Sequence, residues 1–382
     1  MNKDWKYGIL DNAVKKGSSN ISLNKIQKDE GPYPVFGAKG FMKNVSFYHQ
    51  ERDYLALIKD GAGIGRVSKH PAKSSVLATM QYIIPKEGYD IDFIRYFLEG
   101  LDFEDYRTGS TIPHIYYKDY KNARFPLVGV NEQQQIVAIL DEAFEAIDQA
   151  KANIEKNIEN AKELFQSKLN DIFCQKGEGW VEKTLGEVCM KTKNIRWKDH
   201  KNKEYQYVDL SSVSRETLEV TETVIINDKN APSRAKKIIE KGDVIFATTR
   251  PTLKRATIID KELDGQICST GFVVLRPNEK ISADWIFFYL LTSTFMDRME
   301  SLQRGASYPA VTDSDVKDSL LSVPTSKIIE SKYVSLMGQL RENTNELVIQ
   351  YQEKLNSLEE LKKSILQKAF VGELTNKQLI TI

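Results

Sequence analysis

Residues 108–120 read TGSTIPHIYYKDY, and residues 304–316 read RGASYPAVTDSDV. In each stretch a glycine, Gly109 or Gly305, is followed by two small residues, a bulky apolar one and a proline, Pro113 or Pro309. An aspartate, Asp119 or Asp315, then stands a few positions further on. Glycine permits positive φ and proline fixes the exit direction, so each stretch is suited to a tight turn. We expect each turn to deliver a domain onto the start of the helix that follows it.

The doubling extends beyond these loops. WKYGILDNAV at 5–14 is echoed by WVEKTLGEVC at 180–189, with Trp5 and Trp180 followed at the same spacing by Leu10 and Leu185. YLALIKDGAGIGRVS at 54–68 matches VIFATTRPTLKRATI at 244–258: each is an apolar strand-like run carried through a turn to Arg66 or Arg255. FIRYFLEGL at 93–101 and WIFFYLLTS at 285–293 read as aromatic-rich helices leading into the two loops. A repeat this long is a duplicated domain rather than a solenoid, whose period is roughly 20–50 residues.

After each loop the apolar period becomes helical. Leu140, Phe144, Ile147, Ile154, Ile158, Ala161, Phe165 and Ile172 alternate steps of three and four, interrupted by Lys151 and Lys168. Met337, Leu340, Leu347, Tyr351, Leu358, Leu361 and Ile365 repeat the pattern, with Thr344 and Lys354 in the seam. The spacing predicts helices over about 136–173 and 333–370, each roughly 57 Å long. A stripe of that length is most economically covered by pairing the two helices antiparallel. The expected fold class is therefore α+β: two globular α/β domains separated by two long antiparallel coiled-coil helices, with a pseudo-twofold internal repeat. The expected segments are 1–130 and 176–325 for the domains, 131–175 and 326–372 for the helices, and 373–382 for a tail.

Composition bounds the function. With 382 residues, 41% of them apolar, the chain can fill two ordinary cores. Cys174, Cys189 and Cys268 fit neither a disulfide framework nor paired zinc spacing, which suits a reducing compartment. The first residues lack the apolar core of a signal peptide and no run is long enough for a membrane span, so a cytoplasmic location is expected. The net charge of +1 averages unlike segments: the acid is concentrated at 131–175. Basic clusters stand at 65–73 (GRVSKHPAK), 191–203 (KTKNIRWKDHKNK), 233–237 (SRAKK) and 250–255 (RPTLKR). Several such clusters in one domain are the electrostatic footprint of a phosphate backbone.

The doubled order of domain and helix, the Gly-x-x-x-Pro loops, and FPLVGVNEQQQIVAIL at 125–140 together resemble the specificity subunit of type I restriction-modification enzymes. Pro126, Glu132, Gln133, Ile136 and Leu140 fit the passage that begins the family's long helix, and the resemblance spans about 5–370. The second half reads VPTSKIIESKYVSLM and lacks the Glu-Gln pair. The resemblance implies DNA sequence recognition and scaffolding without chemistry. It further implies two methyltransferase (modification) subunits that transfer methyl from S-adenosylmethionine to adenine. Restriction (translocase) subunits would use ATP and magnesium. The partners expected are thus double-stranded DNA and these subunits, with no cofactor or metal in this chain and no membrane.

The residues agree independently. No GxxxxGK[ST] loop occurs, GAGIGR at 61–66 lacks the context of a dinucleotide site, and no Asn-Pro-Pro-aromatic or Asp-Pro-Pro-aromatic stretch is present to hold a flipped adenine. His49, His70, His114 and His200 lack metal spacing. For DNA contact the turns between strands are the best candidates, because a loop bearing Arg or Lys can enter the major groove. In the first domain these are Lys39, Lys43, Arg66, Lys69 and Arg107. In the second they are Arg196, Lys198, Arg234, Arg250, Lys254, Arg255 and Arg304. Each could instead be solvated surface or a phosphate contact. The halves differ in sequence, so an asymmetric bipartite target is expected, its half-sites held apart by the helical pair. The rival classes are a coiled-coil scaffold or non-specific DNA binder, and a stand-alone nuclease.

Overall fold

The computed structural model describes residues 5–374; most of the expected tail lies outside them. The described residues divide into two compact units, one of residues 5–155 with 352–374, the other of residues 156–351. Both divisions fall inside long helices, Val130–Phe173 and Lys327–Phe370. Each unit is therefore a sheet-rich domain with half of each long helix packed into it.

In the first unit a four-stranded antiparallel sheet runs in the order Val14–Ser18, Met80–Pro85, Tyr54–Ile58, Val67–His70. A second sheet has the order Gly40–Val45, Tyr33–Gly37, Ser75–Val76, its last pairing parallel. Lys6–Ile9 pairs with Arg124–Leu127. The second unit repeats this order. Its first sheet runs Cys189–Met190, Phe272–Pro277, Val244–Ala247, Ala256–Ile258. Its second runs Val224–Ile226, Tyr205–Val208, Ile267–Ser269, Ala235–Ile238, again with one parallel pairing, between Tyr205–Val208 and Ile267–Ser269. Trp180–Thr184 pairs with Leu320–Pro324. The strand Ala235–Ile238 is the addition that the first domain lacks. The central strands, YLALI at 54–58 and VIFA at 244–247, are buried along their whole length, as apolar runs without alternation require.

The aromatic runs form helices Ile91–Glu99 and Ala283–Leu290. Asp90 caps the first, its carboxylate accepting from the backbone N–H of Asp92 (2.9 Å) and Phe93 (3.0 Å). Ser282 caps the second through Trp285 N–H (3.2 Å). Each cap residue is also gripped from the long helix. Gln133, in the first turn of the first long helix, is wholly buried; its Oε1 accepts from Asp90 N–H (2.7 Å) while its amide donates to the carbonyls of Val128 (2.8 Å) and Gly88 (3.2 Å). Glu330 stands at the equivalent place in the second long helix, and its Oε1 accepts from Ser282 N–H (2.6 Å). The Glu-Gln pair missing from the second half is thus replaced in its second member by Glu330. Glu132 has a separate task, accepting from the Trp5 indole (2.7 Å).

Within the first unit the helices run antiparallel: Lys151 pairs with Glu359, and Lys362 lies 4.6 Å from the centre of the Phe144 ring. Ile136, Leu140, Phe144 and Ile147 share a core with Leu366 and Ala369. In the second unit Leu169 and Ile172 share a core with Met337. The seam of the second long helix keeps its expected phase at Met337, Leu340, Thr344, Tyr351, Leu358 and Ile365, which are buried or half-buried. Leu347, Lys354 and Leu361 are instead exposed, and their neighbours Val348, Leu355 and Lys362 are half-buried, as is Arg341. The reason is that a long basic side chain can fill an inward position with its stem and place its charge on an aromatic face. Lys362 does so on Phe144, and Arg341 on Phe287 at 5.0 Å.

Removing either first-turn grip leaves a partly buried N–H without its acceptor, which costs about 1–3 kcal/mol. Gln133→Ala and Glu330→Ala are both expected to lower unfolding free energy by that amount, whereas Glu330→Gln, which keeps an acceptor for Ser282, is expected to be tolerated. Denaturant titration of the full chain measures all three.

Candidate nucleic-acid interface

The two Gly-Pro loops are small closed hairpins. Thr108 and His114 exchange backbone hydrogen bonds in both directions at 2.8 Å, and Arg304 and Ala310 do so at 2.9 and 3.0 Å. Gly109 and Gly305 sit at φ +84° and +97°, the left-handed region that favours glycine. Each loop is pinned to the turn that follows its domain's central strand. The Pro113 carbonyl accepts from Gly61 N–H (2.9 Å), and the Pro309 carbonyl from Arg250 N–H (2.7 Å). Ile115 donates to the Lys59 carbonyl (3.0 Å), as Val311 does to that of Thr248 (2.9 Å). The expectation that these loops feed the long helices directly is corrected: strands Arg124–Leu127 and Leu320–Pro324 intervene, and the loops brace turns 61–66 and 250–255 instead.

The same bonds align the turns residue by residue. Ile58 N–H bonds the Arg66 carbonyl and Ala247 N–H the Arg255 carbonyl, both at 2.9 Å, so the two arginines are backbone equivalents. Their side chains diverge. Arg66 is exposed, with its guanidinium lying against Gly63. Arg255 is partly buried and donates to the Leu210 carbonyl. In that turn the exposed cations are Arg250 and Lys254, both at positive φ (51° and 54°), a conformation costly for residues with a side chain. The Arg250 guanidinium lies 5.1 Å from the centre of the Tyr308 ring.

The remaining candidates divide by partner. Lys43 donates to the Gln27 carbonyl (3.1 Å), Lys69 pairs with Asp92 (2.6 Å), and Arg107 with Glu104 (3.0 Å). Arg304 forks onto Asp315 (2.7 and 3.3 Å). Lys39 is exposed at the turn between Tyr33–Gly37 and Gly40–Val45. Arg196, Lys198 and Arg234 are exposed, and the fold joins their two clusters: Ile195 N–H bonds the Lys236 carbonyl (2.8 Å) and the Trp197 indole the Ala235 carbonyl (2.9 Å). Arg234 is joined in turn to the strand beside the Arg250 turn, since Thr270 N–H bonds its carbonyl and Thr248 N–H that of Gly271, both at 2.8 Å. The fold thus brings the backbones of the clusters at 191–203, 233–237 and 250–255 together through successive hydrogen bonds. Composition alone did not single out Tyr308, Ile112 or Tyr116, all exposed beside these turns; the bulky residue before each proline was the signal for the first two.

A model of the type I restriction modification DNA specificity domain matches residues 2–160 and again 177–357. The chain belongs to the type I restriction-modification DNA specificity family. Specificity domains occur in it twice, and the paired loop-and-turn units are corresponding parts of the two copies. The chain is 24% identical to the Escherichia coli type I restriction enzyme EcoDI specificity subunit in an alignment covering 97% of this chain and 89% of that one. It is 22% identical to the MjaVIII specificity subunit of Methanocaldococcus jannaschii, covering 99% of this chain and 94% of that one. Among solved structures, a chain from a study of complex assembly and conformational transition of the type I R-M system aligns with TM-score 0.75 at 16% identity, covering 98% of this chain and 99% of that one. The HsdS subunit from Thermoanaerobacter tengcongensis aligns with TM-score 0.58 at 15% identity, covering 98% of each chain. Specificity subunits of this family bind DNA and assemble with the other restriction-modification subunits. No helix among the described residues is long and apolar enough to cross a membrane.

Two outcomes follow for the loops. A Cβ at Gly109 would meet the Ile112 carbonyl oxygen at 2.5 Å, whereas at Gly305 the nearest atom, the Tyr308 carbonyl oxygen, is 3.1 Å away. Both alanine variants incur the left-handed penalty of roughly 1–2 kcal/mol, and Gly109→Ala is expected to cost more than Gly305→Ala in thermal unfolding. The Arg304 fork, with the Thr312 backbone and hydroxyl, holds the Asp315 carboxyl well below the usual carboxylate range. A depressed folded pKa contributes stability above the unfolded value and loses it as pH falls. Hydrogen exchange at Arg304 and Ala310 is therefore expected to accelerate as pH drops below about 4, beyond the intrinsic pH dependence of exchange, and Asp315→Asn should abolish that excess.

Proposed function

We propose that this chain reads an asymmetric bipartite DNA target for a type I restriction-modification enzyme, the first domain reading one half-site and the second a different one. The observation that carries this is the pair of turns 61–66 and 250–255: the hydrogen-bonded frame is the same, but GAGIGR occupies it in one domain and RPTLKR in the other. A duplicated frame with divergent side chains is suited to two unlike sequences. Within the second half-site, Arg250 and Lys254 are the contacting residues and Arg255 supports the turn. Arg66 and Lys39 take the corresponding part in the first. Arg196, Lys198 and Arg234 hold the phosphate backbone, which positions the domain without reading sequence.

The chain itself supplies no chemistry in this scheme. Two modification subunits bring S-adenosylmethionine and methylate adenine, and restriction subunits bring ATP and magnesium, all in the cytoplasm. The first experiment exchanges residues 1–125 for the corresponding domain of a relative and sequences the methylated sites. One half-site is expected to change while the other persists; both changing together would remove the two-reader scheme. Footprinting separates it from a scaffold without base reading, which would protect DNA weakly and uniformly.

Arg250→Ala is expected to cost about 1–3 kcal/mol and relax one position of the second half-site if the guanidinium reads guanine, or to lower the salt slope by about one if it meets phosphate. Arg255→Ala is expected instead to lower thermal stability with the recognised motif unchanged. Salt-titrated binding and methylation sequencing of the two variants distinguish these outcomes.

A further inference from the structure

Ile112 is 57% exposed and Tyr308 71% exposed, each at the tip of its Gly-Pro hairpin. Exposed apolar side chains are ordinary on mobile loops, but these two occupy the same place in both repeats and stand on closed, braced frames. The hairpins are shut by Thr108–His114 and Arg304–Ala310, and pinned through the Pro113 and Pro309 carbonyls. One neighbouring acid in each domain is occupied internally. Asp60 accepts from His114 (2.7 Å) and pairs with Lys59 (3.5 Å), and Asp315 is taken by Arg304. Among the described residues, Arg66 and Lys254 in the adjoining turns have no side-chain hydrogen bond or ion pair, and Arg250 has only the Tyr308 face. A bulky apolar tip, rigidly held and adjoined by free cations, fits a polyanion whose interior is apolar: the base stack of duplex DNA.

We infer that Ile112 and Tyr308 are wedges, one in each domain, that enter a base step of the bound duplex and open it. This deepens the proposed DNA-reading function and rests on it. Apolar wedges between base steps unstack and kink DNA, and the ease of that deformation depends on the sequence deformed. Each wedge would therefore bias its half-site toward deformable steps without forming a hydrogen bond to a base. In the second domain Arg250 is placed to pass from the Tyr308 ring to phosphate as the ring leaves solvent. The different shapes of isoleucine and tyrosine fit the two half-sites being unlike.

The test uses the full chain and a duplex selected with it from a random-sequence library, with 2-aminopurine substituted at each position in turn. The expected result is a several-fold rise in fluorescence on binding at one step in each half-site. Tyr308→Ala should remove one rise and leave the other, and Ile112→Ala the reverse. Tyr308→Leu, which keeps an apolar wedge, should retain the rise, guarding against an effect of misfolding. An enriched duplex that shows no rise at any step, or rises that persist in both alanine variants, overturns the wedge and leaves sequence reading intact. Failure to enrich any duplex overturns the proposed reading function and the wedge with it.

Discussion

The arrangement of each unit depends on one hydrogen bond, from the backbone N–H of a helix cap to a side chain in the first turn of a long helix. Gln133 makes it to Asp90, and Glu330 makes it to Ser282. Each cap residue already organises the aromatic helix that fills its domain's core, so the bond couples that core to the direction in which the long helix departs. Burial of the acceptor side chains enforces it, because Gln133 and Glu330, withdrawn from water, each need a donor. The apolar contacts of Leu140 with the first core, and of Met337 with the second, then add area to a direction already chosen.

Duplication explains why the frame is repeated, and the frame explains where divergence is permitted. The strand orders, the loop closures and the loop-to-turn bonds all use backbone atoms, so they survive wholesale change of side chains. What the backbone leaves free is the turn itself. In the first domain that freedom is taken up by glycines, Gly61 and Gly65 at positive φ with Arg66 laid over Gly63. In the second it is taken up by Arg250 and Lys254, held at positive φ despite their side chains. The second solution is the more strained, and Pro309 is part of what holds it.

Much of this was legible in the sequence. The repeat was visible because Trp, Leu, Gly and Pro recur in order, and the long helices because their apolar residues keep a heptad step over many turns. Three features were not legible, for physical reasons. The second long helix turns Arg341 and Lys362 inward between the positions its apolar step marks, because their stems behave as apolar groups although their heads do not. Glu330 stands in for Gln133, and only the accepted hydrogen bond, not the residue type, is shared. Arg255 reads as an exposed turn cation until the fold brings the Leu210 carbonyl to it, a contact between residues far apart in the chain.

That last case bears on how a basic cluster should be divided. RPTLKR presents three cations in six residues, and charge alone treats them alike. The fold separates them by cost. Arg255 gains a carbonyl partner and partial burial, so its position stabilises the domain. Arg250 and Lys254 gain no such partner and sit in backbone conformations that L-residues avoid, so their positions detract from stability. A conformation that stability does not favour, repeated at two residues four apart and braced from outside by a second loop, is what a surface shaped for a binding partner requires.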